Sequence, residues 1–261
     1  MKYTLLFLIA SFLIITGCEK SAVEATPGPG ELKLYLVDSP GDYDEVNIVV
    51  NRVEVHNSDT DTTTGWSTIN NTPATYDLLT LRNGASSILG TAKLTPGHYT
   101  QLRLMIDSGS NVVVNGIKYD LVIPSGIESG IKLTHAFTIE ADKLYELTLD
   151  FDADESIKLL GSNTYKLQPT IRVVSNVVSG TISGKILPID ANALVQTTVG
   201  LDTVSTIPDT SGYFKLMALP EGTFTLKIIP SNTAYKDSTI AGVVVVKQQD
   251  SNIGIITLLS N

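Results

Sequence analysis

The sequence predicts an all-β protein: two β-sandwich domains in tandem. Three observations predict it. From Glu31 onward, apolar residues recur at every second position, the period of a strand with one face in a core. Turn chemistry punctuates these runs, as in "SPGD" at Ser39 to Asp42, "NG" at Asn83-Gly84 and Asn115-Gly116, and "TPGH" at Thr95 to His98. No stretch carries a convincing long amphipathic helix, and short strands joined by tight turns favour a sandwich or barrel.

The chain begins with a leader. Lys2 makes a basic start, Tyr3 to Ile15 form an apolar run broken only by Thr4 and Ser11, and the small Thr16 and Gly17 precede Cys18. This is the layout of a secretory signal peptide over residues 1–17, too short for a comfortable membrane span. The ending Ile15-Thr16-Gly17-Cys18 resembles a bacterial lipobox. That resemblance implies cleavage before Cys18, a diacylglycerol on its thiol and acylation of the new amine. Only a thiol can take this lipid, and Cys18 is the single cysteine of 261 residues. Two or three acyl chains, at about 0.8 kcal/mol per buried CH₂, make a stable anchor. The expected partner is therefore a membrane, through lipid attachment at Cys18, and the expected location is the cell envelope, at the outer membrane.

Removing residues 1–17 takes away one lysine and no acid, so the formal charge of −9 becomes −10. With a pI near 4.8, nucleic acid and anionic membrane surfaces are poor partners. With no further cysteine, neither disulfides nor thiolate metal sites are available, and the fold relies on core size. Residues 18–30 end in Pro-Gly-Pro-Gly and lack apolar periodicity, as expected of a lipidated tether.

The first predicted domain spans 31–176, long enough to bury about two-thirds of its unfolded surface. Leu32, Leu34 and Leu36 alternate in "LKLYLVD"; "EVNIVVNRVEVH" is rich in β-branched residues; Leu102, Leu104 and Ile106 alternate in "QLRLMID". In "KLYELTLDFD", Tyr145, Leu147, Leu149 and Phe151 share one face, and Glu146, Thr148, Asp150 and Asp152 share the other. Such alternation is the mark of half-buried antiparallel strands. "YDLLTLRNGASSILG" has room for one short helical turn.

A composition break near Ser175 to Ser179 opens the second domain, 177–261. "LTPGHYTQLRL" (Leu94 to Leu104) and "LPEGTFTLKI" (Leu219 to Ile228) share a Pro-containing turn, a glycine, an aromatic and an alternating strand. Common hairpin grammar explains the likeness better than duplication. Gly97 and Gly222 are expected to supply positive φ at the corner, with Tyr99 and Phe224 packing inward.

Two family resemblances enter at these residues. "SGTISGKI", "DTSGYFKLMALPEGTFTLKI" and "AGVVVVKQQDSNIGIITL" resemble a carboxypeptidase regulatory-like domain over Ser179 to Leu259. The resemblance implies a transthyretin (prealbumin)-like seven-stranded sandwich, a fold shared with starch-binding-like modules, and an accessory role without catalysis. "LYLVDSPGDYDEVNIVVNRVEVH", "YDLLTL", "LTPGHYTQLRL", "LTLDFDADESI" and "YKLQPTIRV" are similar to domain of unknown function 4382, a family of exported lipoprotein domains common in Bacteroidota. That likeness implies a β-sandwich in the envelope and no particular reaction.

Motifs with chemical potential are few. "MIDSGSN" at Met105 to Asn111 matches the Asp-Ser-Gly-Ser of aspartic proteases, which need two facing copies. The nearest second candidate, "PDTSG" at Asp209, inserts a residue before the glycine, so a β-turn at Asp107 is expected. His56, His98 and His135 lie in separate segments with no i, i+2 or i, i+4 partner, so strand and turn positions are expected, with a three-histidine metal site as the alternative. No nucleophile elbow or phosphate loop occurs. Trp66 could stack on a sugar, but a tryptophan capping the core is the commoner arrangement.

"DFDADES" is the densest carboxylate cluster. Asp150, Asp152 and Asp154 share a strand face, roughly 7 Å apart along the chain. Calcium needs six to eight oxygens at about 2.3–2.6 Å, so they converge only if the backbone kinks. An EF-hand is excluded, because Glu155 stands at the sixth place and Gly161 at the twelfth. The expected arrangement is a solvent-facing acidic strand end with Phe151 inward; the alternative is a calcium site completed by Glu155 or backbone carbonyls. The sequence as a whole predicts a lipid-anchored, non-catalytic binding module with a glycan or an envelope protein as partner. A structural component of a surface complex ranks second, and a hydrolase third.

Overall fold

The computed structural model of the chain describes residues 28–60, 64–124 and 129–261. The predicted leader, Cys18 and most of the predicted tether lie outside the described residues. Strands β1 (Gly30–Ser39) to β6 come first: β2 (Glu45–Asn57), β3 (Trp66–Asn70), β4 (Ala74–Asp77), β5 (Ser87–Leu94) and β6 (Gly97–Ile106). They are followed by β7 (Asn111–Val114), β8 (Ile117–Val122), β9 (Ile131–Ile139), β10 (Leu144–Asp152), the short helix α1 (Ala153–Ser156), β11 (Ile157–Leu159), β12 (Tyr165–Leu167) and β13 (Ile171–Ser175). One sheet has the order β13-β10-β1-β5; the other runs β11-β12-β8-β7-β2-β6-β9, with β3 and β4 also on β2.

The alternation read from the sequence packs these two sheets face to face. Leu32, Leu34 and Leu36 of β1 and Leu147, Leu149 and Phe151 of β10 meet Val53, Val55, Leu102, Leu104 and Ile106 of the opposite sheet in one core. Each such side chain contributes about 1.5–3 kcal/mol by leaving water. Tyr99 and Phe137 stack at 5.4 Å, and Phe137 and Tyr145 at 5.5 Å, tying the two sheets together at one end. The Asn115-Gly116 pair, with φ 51° and 74°, closes the β7–β8 hairpin as its type predicts. The helical turn in "YDLLTL" is a 3₁₀ turn at Leu78–Thr80, with the Asp77 side chain accepting from Leu79 N–H.

Strands β14 (Ser179–Leu187), β15 (Ala193–Val199), β16 (Asp202–Thr206), β17 (Tyr213–Pro220), β18 (Gly222–Pro230), β19 (Ser238–Val245) and β20 (Asp250–Thr257) form a second sandwich. Its sheets are β17-β14-β20 and β16-β15-β18-β19. Its core is its own: Ile182, Val195, Phe214, Leu216, Leu226, Ile228 and Val245 are buried together. Gly97 and Gly222 have φ 156° and 159°, closer to fully extended backbone than to the left-handed region. Tyr99 beyond the first corner is fully buried, and Phe224 beyond the second is partly buried against its core.

One expectation is corrected. The strands do not all pair antiparallel: β1 with β10, β8 with β12 and β14 with β20 run parallel. Turn dipeptides report hairpins between neighbours in sequence. The β1–β10 ladder, which pairs Glu31 with Leu144, leaves no such local mark.

Candidate functional site

Both faces of β10 are buried from Leu147 to Phe151. Leu147, Leu149 and Phe151 point into the first core, and Thr148 and Asp150, expected to face solvent, are 6% and 7% exposed. The last residues of β1 show the same loss of alternation, with Val37, Asp38 and Ser39 all buried. The cause is the second sandwich, whose β16 packs against β1 and whose β17 packs against β13 on the outer side of this sheet. The polar row read as a solvent face is one wall of a seam between the two units.

Specific hydrogen bonds hold the seam. Asn83 Nδ2 donates to the Ile207 carbonyl at 2.5 Å, and Asn83 Oδ1 accepts from Thr206 Oγ1 at 2.7 Å and from Lys215 N–H at 3.2 Å. Arg172 donates through Nη2 to Asp150 Oδ2 at 2.5 Å and through Nη1 to the Ala218 carbonyl at 2.7 Å. Ala218 sits in a bulge of β17 opposite β14, with φ 54°. Bulges turn a carbonyl out of its ladder, and this one points to Arg172. Within the first unit, Thr148 Oγ1 donates to Asn176 Oδ1 at 2.7 Å.

The three acidic residues of "DFDADES" have separate tasks. Asp150 pairs with Arg172. Asp152 ends the strand and caps α1, its Oδ1 accepting from Glu155 N–H at 2.9 Å. Asp154 is exposed within α1. Strand periodicity stops at Asp152, so Asp154 does not continue the strand face that carries Asp150 and Asp152. Among the described residues no group of three or more His, Cys, Asp or Glu is gathered to hold a metal ion. Glu155 is within 3.1 Å of Lys158 Nζ.

Burial dominates the electrostatics. It pushes the Asp38 carboxyl well above the usual carboxylate range; the Ala153 N–H bond opposes this, the Asp150 and Asp152 charges add to it, and Arg82 opposes it. Burial also raises Asp150, with Arg172 pulling it partly back, and raises Asp152 against the bond from Glu155 N–H. Two grooves open along the seam. One, of about 450 Å³, lies between α1 and the β15–β16 hairpin and is lined by Asp152, Asp154, Glu155 and Asp202, with the fully exposed Leu201 at its rim. The other, of about 350 Å³, is bordered by Thr148, Thr181, Lys215 and Asp250. This arrangement can hold a polar or cationic segment. It offers carboxylates and hydroxyls, while the three histidines sit on β2, β6 and β9.

The remaining candidates fall elsewhere. Asp107 organises a turn, accepting from Ser108 N–H at 2.6 Å, while its carbonyl accepts from Ser110 N–H. Asp209 does the same in the second unit, its carboxylate held below the usual range by bonds from the Ser211 hydroxyl and the Ser211 and Tyr213 amides. Trp66 does not cap the core. It lies half-buried on the outer face of the second sheet, with the Arg103 guanidinium 4.1 Å from its ring centroid and His56 edge-on at 5.1 Å. Glu54 beneath them binds Arg103 through two nitrogens and Arg52 at 3.2 Å. Sequence reading missed Asn83, Arg172 and Asp38. Only the Asp ahead of Ala-Asp-Glu-Ser carried a local signal, that of a helix N-cap.

Comparison with known proteins adds little on function. No curated protein matches the chain. Among solved structures, a type II cohesin–X-dockerin complex from Acetivibrio cellulolyticus matches at 26% identity over 31% of this chain and 58% of that one, TM-score 0.25. The minor pilin GBS52 of Streptococcus agalactiae matches at 11% over 88% and 96%, TM-score 0.24, and the shaft pilin SpaA of Lactobacillus rhamnosus GG at 9% over 91% and 98%, TM-score 0.27. Scores of that size say nothing about what this chain binds. Residues 29–169, more than half of the chain, match one family, and the protein therefore belongs to the family described as Domain of unknown function (DUF4382).

Proposed function

We propose that this is a lipid-anchored, non-catalytic interaction protein of the cell envelope, whose two sandwiches present one docking surface to another envelope protein. The observation that carries the reading is the 450 Å³ acidic groove at the seam, built by both units and flanked by the exposed Leu201. An exposed apolar side chain beside a row of solvent-facing carboxylates suits a basic protein segment. In this reading the second unit is an accessory module of the carboxypeptidase regulatory-like, transthyretin-type class, and its three- and four-stranded sheets are in keeping with that. A glycan platform is less well supported. None of the described aromatic side chains is exposed, and one face of Trp66 is covered by Arg103.

The test uses the full chain in its own envelope, with a photo-crosslinking residue at position Leu201 and a control at the exposed Glu140. The expected result is a discrete protein adduct from Leu201 alone, lost when Asp152, Asp154 and Asp202 are changed to Lys. Equal or absent adducts at both positions would refute the docking surface; saturable glycan binding abolished by Trp66→Ala would move the function to the outer face. In parallel, Cys18→Ala is expected to release the protein from the membrane fraction. If the variant stays bound like wild type, the anchor is elsewhere.

A further inference from the structure

Asp38 is an unusual member of the seam. It is only 5% exposed, near the end of β1. Its Oδ1 accepts from Ala153 N–H at 3.1 Å, and its Oδ2 has no hydrogen-bond partner among the described residues. It faces a void of about 10 Å³, closed on the far side by Val204, Thr206 and Met217 of the second unit. That volume holds about one water molecule, so a carboxylate there cannot keep its hydration shell while the units are docked.

The charged groups around it come from every neighbouring element. Strand β10 contributes Asp150 and Asp152, and α1 carries Asp154 and Glu155 beyond the Ala153 amide. Arg82, before β5, lines the same void, as does Lys215 of β17, whose Nζ lies 3.4 Å from Asp250. Arg172 of β13 is committed to Asp150, and Asp202 of β16 borders the adjoining cavity. The charges immediately flanking Asp38 on its own side of the seam are thus two carboxylates and one arginine.

We propose that the seam is a proton-operated clamp: with Asp38 protonated the two sandwiches stay docked, and ionisation of Asp38 loosens the second from the first. Protonation removes the charge that the second unit strips of water when it closes the void. The sign follows from linkage. Val204, Thr206 and Met217 of the second unit keep water from the Asp38 carboxyl, and burial raises it, so it holds its proton more tightly docked than undocked. Docking is then strongest in acid, and weakens as pH rises through the range where the undocked carboxyl ionises, until the docked carboxyl itself has ionised. Every tenfold by which docking tightens proton binding at Asp38 changes the docking equilibrium by about tenfold across that range.

The Lys215 amide reports docking, because its proton is held across the seam by Asn83 Oδ1. Its hydrogen exchange is to be measured in the full-length lipidated protein in detergent, corrected for the intrinsic pH dependence, at pH 5 and pH 8. Leu102 in the first core serves as the control for global unfolding. The expected result is at least about a tenfold loss of Lys215 protection at pH 8 relative to pH 5, with Leu102 less affected. In Asp38→Asn, which carries no titratable group there, the loss should vanish. Equal protection at both pH values in the wild type would overturn the clamp without needing any variant. A loss that persists in Asp38→Asn would assign it to another group and equally overturn the proposal.

Discussion

At the scale of single residues, Asn83 shows how a turn signal hides a second role. Asn-Gly is a hairpin pair by its φ preference, and Asn83 and Gly84 do take φ 56° and 92°. Yet the pair joins the Leu78–Thr80 turn to β5, and the Asn83 side chain makes three bonds to the other unit. Asn83→Gly keeps the backbone and removes those bonds, leaving the Ile207 carbonyl and Lys215 amide to find other partners. A loss of about 1–3 kcal/mol is expected in denaturant titration. Asn83→Ala should lose roughly 1 kcal/mol more, because alanine is strained in the left-handed region. If the glycine variant is as stable as wild type, the latch contributes nothing.

At the scale of elements, the β10–β13 pair carries an ion pair between two largely buried groups, with Asp150 and Arg172 side chains 8% and 16% exposed. A buried pair is weak evidence for net stability, but removing one partner strands the other. Arg172→Ala should therefore cost about 3 kcal/mol or more near pH 8, and also release the Ala218 carbonyl. The cost should shrink toward pH 5. Without Arg172, the burial that already raises the Asp150 carboxyl acts unopposed, so Asp150 can discard its charge by taking up a proton. Melting curves of the variant and wild type at the two pH values test this, and a cost independent of pH would show that Asp150 keeps its charge.

At the scale of the molecule, each sandwich buries a core made of its own residues, and the seam between them is polar. Hydrophobic burial, which dominates folding, thus lies mostly within each unit, with Val37 and Ala218 buried outside either core. A fragment of residues 177–261 should fold alone, giving a β-type circular dichroism spectrum and a cooperative melt. Its melting temperature should lie below that of the second unit in the intact chain, because the bonds from Asn83 and Arg172 are gone. A disordered fragment would mean that the second core depends on the first.

What the sequence by itself determined is what depends on near neighbours. Period two placed Leu32, Leu34 and Leu36, and Leu102, Leu104 and Ile106, in a core because each strand turns one face to the opposite sheet of its own sandwich across about 10 Å. Asn115-Gly116 closed its hairpin because the turn's φ values are a property of those two residues. Only the tertiary structure decided what β10 and the end of β1 face on their second side. Glu146 and Thr148 alternate with leucines as solvent residues do, and Thr148 and Asp150 are nonetheless buried. The surface that buries them belongs to residues such as Thr206 and Ala218, tens to more than a hundred positions away, and periodicity records the face a strand turns to its core but not what later covers the other.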